Sequence, residues 1–202
     1  METQSHVIPA SEYRRVRWKN GLGWTREIAR GNAQPGANPA SSENWDWRLS
    51  IAEIEQDSAF SSFPGIDREL ALLQGHGLRL RFDEGEVREL SLPGQRCRFA
   101  GERGVTGELI DGPTLDFNLM WRRGVLAAEL LHRPLVGTMV FFTEPGTQWA
   151  LYLLAGQASF DGDSGLPPLA AGDTTILASG QGRKRHALEG GGELLVMKLA
   201  RL

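Results

Sequence analysis

Apolar residues recur at every second position through Trp47-Arg48-Leu49-Ser50-Ile51-Ala52. This sets Trp47, Leu49 and Ile51 on one face of an extended segment and Arg48, Ser50 and Ala52 on the other. A period of two predicts a strand with one packed face and one polar or small face. Strand-length apolar stretches follow at Leu70 to Leu73, Leu78 to Phe82, Val87 to Leu92 and in a strand ending Asp116-Phe117-Asn118-Leu119-Met120. More lie near 138–143, 150–155, 157–161, 174–178 and 193–199. Glycine or proline turns separate them, and no long helical period is evident. Upstream, Tyr13 to Trp18 and Trp24 to Ala29 read as a hairpin joined by the turn Lys19-Asn20-Gly21-Leu22-Gly23. Gly31 to Asn44, rich in Gly, Asn, Pro, Ala and Ser, reads as an exposed loop. Residues 125–132 fit a short helix or a strand equally. The expected class is all-β.

One pattern, P-G-x4-L-x-L-L-x-G, spans Pro64 to Gly75 and returns at Pro145 to Gly156, 81 residues later. A turn feeds a buried strand in each copy, as a duplicated supersecondary unit would leave behind. Pro93-Gly94 and Ala171-Gly172-Asp173 form a looser echo further along. Two similar all-β halves follow from this, taken as residues 1–123 and 124–202.

Composition narrows the classes. In 202 residues, 41% hydrophobic content suffices for a sizeable core, and the net charge of -3 offers no electrostatic basis for nucleic acid or a membrane surface. Cys97 is the sole cysteine, which excludes an intramolecular disulfide and a thiolate metal cluster. The first twenty residues include Glu2, His6, Arg14, Arg15 and Arg17 and lack a signal-peptide core, and no run nears the ~18 apolar residues of a membrane span. A soluble, cytoplasmic protein is expected.

Three segments could carry chemistry. Trp18-Lys19-Asn20-Gly21-Leu22-Gly23-Trp24-Thr25-Arg26-Glu27 sets two cations, an amide, a hydroxyl and a carboxylate between indole rings. Arginine grips a carboxylate through paired N–H bonds, Asn donates and accepts, Lys adds a point charge, and aromatic walls exclude water. The same residues also fit a solvated hairpin with Arg26 and Glu27 on opposite faces. Asp67 and Arg68, at the repeat turn, are replaced by Gln148 and Trp149 in the second copy, so chemistry there belongs to the first half; a surface ion pair is the alternative. Asn118 shares a strand face with Asp116 and Met120, as a wetted pocket wall or a hydrogen-bonded core amide would. His6, His76, His132 and His186 show no metal-ligand spacing, and neither a nucleophile elbow nor a phosphate loop is present, so no metal or cofactor is expected. The run Arg183-Lys184-Arg185-His186 between glycines reads as a solvated loop.

Three strings in order resemble the HutD/Ves family. They are Trp18-Lys19-Asn20-Gly21 with Thr25-Arg26-Glu27-Ile28, Phe60-Ser61-Ser62-Phe63-Pro64-Gly65-Ile66-Asp67-Arg68, and Asp116-Phe117-Asn118-Leu119-Met120 with Arg122-Arg123. Leu22 departs from the family pattern, where another glycine is common. The resemblance implies two cupin-like barrel halves and an association with bacterial histidine-utilisation operons, outside the degradative enzymes. It further implies a metal-free regulatory protein for a small carboxylate intermediate such as urocanate or N-formylglutamate. An enzyme acting on such an intermediate, an isomerase or hydrolase using Asp67, Glu27 or Lys19, is the second reading. On either, Trp18, Lys19, Asn20, Arg26, Glu27, Arg48, Asp67, Arg68 and Asn118 are the expected ligand-binding residues, with no catalytic residue assigned.

Overall fold

The computed structural model describes residues 2–18, 21–33 and 45–202. Its strands, in chain order, begin with β1 (His6–Ile8), β2 (Arg14–Arg17), β3 (Gly23–Gly31), β4 (Trp47–Ile54) and β5 (Ser58–Ala59). β6 (Ile66–Gln74), β7 (Leu78–Phe82), β8 (Val87–Leu90), β9 (Arg96–Ala100), β10 (Val105–Leu109) and β11 (Thr114–Arg122) follow. The remainder holds β12 (Leu126–Thr143), β13 (Thr147–Phe160), β14 (Leu169–Ala170), β15 (Thr174–Leu177) and β16 (Lys184–Arg201). Among the described residues the helical structure is confined to two 3-10 turns, Ala10–Glu12 and Gly162–Ser164, so the all-β expectation holds. None is long and apolar enough to cross a membrane.

The chain divides into two compact units. One comprises Arg14–Arg30 and Trp47–Arg123; the other comprises Gly124–Leu202 together with Met1–Tyr13 and Gly31–Asp46. In the first, β2-β3-β4-β11-β6-β9 form one sheet and β5-β10-β7-β8 a second. Ala52, Leu70, Leu72, Leu78, Leu80, Phe82 and Phe99 from both sheets share one buried cluster, which closes them into a barrel. In the other unit a single sheet runs β1-β15-β13-β16-β12, with β14 beside β13. β12 and β16 pair along all 18 residues of each, and one cluster gathers Leu135 and Phe141 with Leu188, Leu194 and Val196. The long strands therefore bend around their own core. The bend passes through Gly156 and Gly192, where backbones approach so closely that a Cβ on Gly156 would lie 1.9 Å from the Gly191 carbonyl oxygen.

The repeat is visible in backbone detail. Gly65 and Gly146 open the repeat strands at φ 75° and 86°, and Gly75 and Gly156 take φ 107° and 92°. Leu72 accepts from the Gly94 N–H and donates to the Gln95 carbonyl; Leu153, 81 residues on, does the same with Gly172 and Asp173. Both copies also carry a β-bulge at one site. Leu73 is skipped as β6 pairs with β11, and Leu154 is skipped as β13 pairs with β16. Hydrophobic pattern alone would not reproduce a bulge twice at one offset, so the halves are duplicates.

Several strands are longer than the sequence suggests. Of residues 125–132, Val125 ends a turn and the rest form the start of β12, and the apparent breaks near 156 and 190–192 lie inside β13 and β16. The basic run is solvated at Arg183, Lys184 and Arg185 but is only partly a loop: Lys184 to His186 open β16, and His186 is buried, its Nε2 3.0 Å from the Thr143 hydroxyl. The expected loop at 31–44 lies largely outside the described residues.

Candidate functional site

Alternation along three neighbouring strands builds one wall. Arg48, Ser50 and Ala52 of β4 share a face with Met120, Asn118 and Asp116 of β11 and with Arg68, Leu70 and Leu72 of β6. Register aligns them in rows: Arg48–Met120–Arg68, then Ser50–Asn118–Leu70, then Ala52–Asp116–Leu72. The wall thus passes from cations through amides and hydroxyls into the apolar core. Above it lies a cavity of about 500 Å³, lined by Arg17, Trp18, Thr25, Arg48, Ser50, Ala52, Ala59, Phe60, Ser61, Phe63, Arg68, Asn118 and Met120.

Arg68 dominates its electrostatics. The side chain is buried, its guanidinium 5.4, 5.5 and 5.1 Å from the ring centres of Phe60, Phe63 and Phe99. It donates a long bond, 3.4 Å, to the Ser61 carbonyl, while Nε has no partner and no carboxylate pairs with it among the described residues. Burial, and secondly the charge of Arg48, lowers its pKa to about 10, so it stays cationic at neutral pH at a cost to folding. Arg48 is held differently: its Nε donates to Glu27 Oε2 at 2.8 Å. Arg17 leans on Trp24, 5.1 Å from the ring, and donates to the Gly21 carbonyl. The Trp18 indole N–H donates to the Thr25 hydroxyl at 2.8 Å, fixing the aromatic wall.

Two polar groups lie at the lower end. Asn118 is 7% exposed and its Oδ1 has no partner among the described residues. Asp116 is fully buried; its Oδ2 accepts from Thr114 at 2.7 Å and its Oδ1 has none. Burial raises the Asp116 pKa to about 7, against the lowering effect of the Thr114 hydroxyl.

Of the residues expected from sequence, Trp18, Arg48, Arg68 and Asn118 line the cavity. Glu27 stands behind Arg48 and orients it. Arg26 is outside the lining: next to Thr25 on β3 it takes the opposite face and bridges to Glu53 at 2.5 Å, a carboxylate that Arg15 also holds. Asp67 likewise faces away from Arg68's side and accepts from Arg98 and Arg123. Lys19 and Asn20 lie outside the described residues. Ser50 and Ala52 are legible from the period they share with Arg48. Phe60, Ser61 and Phe63, in an irregular segment, carry no periodic signal.

Among the described residues the second unit has no such wall. Trp149 occupies the repeat position of Arg68 and pairs across to Lys198 as Arg68 does to Met120. Its ring packs edge-on against Phe141, centroids 5.4 Å apart. Leu151 and Val196 fill the next row with apolar side chains. Among the described residues no group of three or more His, Cys, Asp or Glu could hold a metal ion.

Comparison with known proteins decides the lineage: the HutD family model matches residues 10–196. The chain belongs to the HutD family. It is 40% identical over 119 residues to an uncharacterized 21.2 kDa Pseudomonas putida protein described by its position in the hutC 3' region; the alignment spans 59% of each chain. HutD from Pseudomonas fluorescens SBW25 superposes with a TM-score of 0.81 at 31% identity, covering 98% of this chain and 99% of that one. A cupin 2 conserved barrel protein from Leptotrichia buccalis, at 11% identity and TM-score 0.56, covers 93% of this chain and 92% of its own and shares the fold. The chain is therefore a cupin-like, two-barrel protein of a family tied to histidine utilisation.

Proposed function

We propose that this protein is a metal-free receptor for a small carboxylate of histidine breakdown, such as urocanate or N-formylglutamate, and that it limits pathway output by sensing or buffering that intermediate. The observation that carries the reading is Arg68: a buried cation without a carboxylate partner among the described residues, on the wall of a cavity of about 500 Å³. Burying an unpaired charge is unfavourable, and an incoming carboxylate relieves it through paired, charge-assisted bonds. Arg48, pre-oriented by Glu27, supplies a second donor, and Trp18, Phe60 and Phe63 supply flat apolar walls. Cationic lining disfavours a metal ion there.

Calorimetric titration of urocanate and N-formylglutamate into wild type and Arg68→Met tests this. Loss of a buried charge-assisted bond costs roughly 2 to 4 kcal/mol, so affinity should fall by about thirtyfold or more. Equal affinities in the two proteins would remove Arg68 from the site. Recovering the ligand chemically changed would promote the enzyme reading, an isomerase or hydrolase of the same intermediate, over the receptor.

A further inference from the structure

Among the described residues the cavity lining holds Arg17, Arg48 and Arg68 and no acid, yet the three charges do not count equally. Arg17 stands across from Trp24, which alternates with the cavity-facing Thr25. Its guanidinium lies 5.1 Å from the Trp24 ring centre, with Nη2 on the Gly21 carbonyl at 2.9 Å, and the residue is exposed, so water screens it. Arg48 is already matched. Its Nε donates to Oε2 of Glu27, which shares the Thr25 face of β3, at 2.8 Å; Arg30 approaches the other Glu27 oxygen at 3.6 Å from outside the lining. Arg68 alone brings buried positive charge into the wall without an acid among the described residues, and Met120 separates it from Arg48 by two strand spacings, about 10 Å.

Resting on the receptor reading, we propose that Glu27 determines specificity by charge: it neutralises Arg48 and leaves the cavity one unmatched cation, so the site selects an acid with a single negative charge and rejects a dicarboxylate. A second carboxylate reaching Arg48 has to share that guanidinium with Glu27, and two like charges on one guanidinium in a partly desolvated cavity repel. An uncharged carbonyl oxygen or ring nitrogen meets no such repulsion, because Arg48 gives Glu27 its Nε and its terminal nitrogens carry further donors. Of the two intermediates considered above, urocanate fits this charge count and N-formylglutamate, a dianion, does not. Discrimination therefore comes from a repulsive element as well as from the attraction to Arg68.

The test titrates N-formylglutamate and N-formylglutamine into the full chain by calorimetry, a pair of equal shape in which one carboxylate becomes a carboxamide. Wild type is expected to bind the amide at least about tenfold more tightly. Glu27→Gln keeps an oxygen that accepts from Arg48 Nε but removes the charge, and should bring the two affinities within about threefold or favour the dianion. Glu27→Ala, which loses the bond as well, should show the same change of ratio with weaker binding of both; thermal melts confirm that the variants fold. A residue that only shapes the wall would weaken both ligands alike and leave their ratio unmoved. Wild type binding the dianion as tightly as the amide overturns the charge selection and leaves the receptor reading intact. A ratio unchanged in both Glu27 variants removes Glu27 as its cause. Binding of neither acid nor of urocanate would sink both readings.

Discussion

Arg68 and Asp116 are each unfavourable to the fold in isolation. A guanidinium whose pKa burial brings down to about 10 destabilises the native state, so Arg68→Met should raise stability to unfolding by about 1 to 3 kcal/mol while abolishing tight binding. Chemical denaturation beside calorimetry checks this, and a destabilised variant would mean that Arg68 has a partner that stabilises it. For Asp116 the native state favours the proton: the pKa is about 7 when folded against 3.8 for the free side chain. Stability from this group is thus full below about pH 4 and is lost as pH rises toward 7, by an amount on the order of 4 kcal/mol. Asp116→Asn should abolish that decline. Denaturation midpoints at pH 4, 5.5 and 7 measure it, and a parallel pH profile for the variant would rule the carboxyl out as the cause.

The strands decide which residues meet. Gly75 and Gly156 close equivalent repeat segments with positive φ, and a Cβ would meet the Pro113 carbonyl oxygen at 2.7 Å or that of Gly191 at 1.9 Å. Alanine at either should destabilise by about 2 to 4 kcal/mol, the more so at Gly156, where two backbones rather than a turn must move. Urea denaturation gives the ranking. On β3, Arg26→Ala should change ligand affinity by less than about threefold, because its partner is Glu53 on the face away from the cavity. The sequence made the period-two face of Arg48, Ser50 and Ala52 readable, along with the repeat and the row-mates Asn118 and Asp116. Which of two arginines beside an acid turns inward was not readable: Arg26 and Arg68 differ by strand parity relative to a barrel interior, and that is set by pairing between distant strands. Glycines at 190–192 look like a break because their lack of side chains is the same whether the chain turns or bends within a strand. Phe60 and Phe63 reach Arg68 from an irregular segment, where no period exists to read.

Two buried groups pull the pH dependence in opposite directions. Burial, then Lys184, lowers the His186 pKa, so this group contributes stability that is present above its ordinary value near 6.5 and is lost as pH falls through that value toward its lower folded one. Asp116 acts the other way between about 4 and 7, so His186 offsets part of that decline below about pH 6.5, and Asp116→Asn should leave stability falling toward acid. Saturating ligand adds to it: at a hundred times Kd the native state gains about 2.7 kcal/mol, visible as a raised Tm. Trp149 carries one more consequence. With a ring where the other half holds a cation, the second half lacks a counterpart of Arg68 among the described residues, so on the receptor reading a titration should end at one equivalent with a hyperbolic curve. A lone independent site needs a roughly eighty-fold rise in free ligand to go from a tenth to nine-tenths full. On the proposed receptor reading such a site would respond as a dimmer rather than a switch, its occupancy graded with the concentration of its ligand.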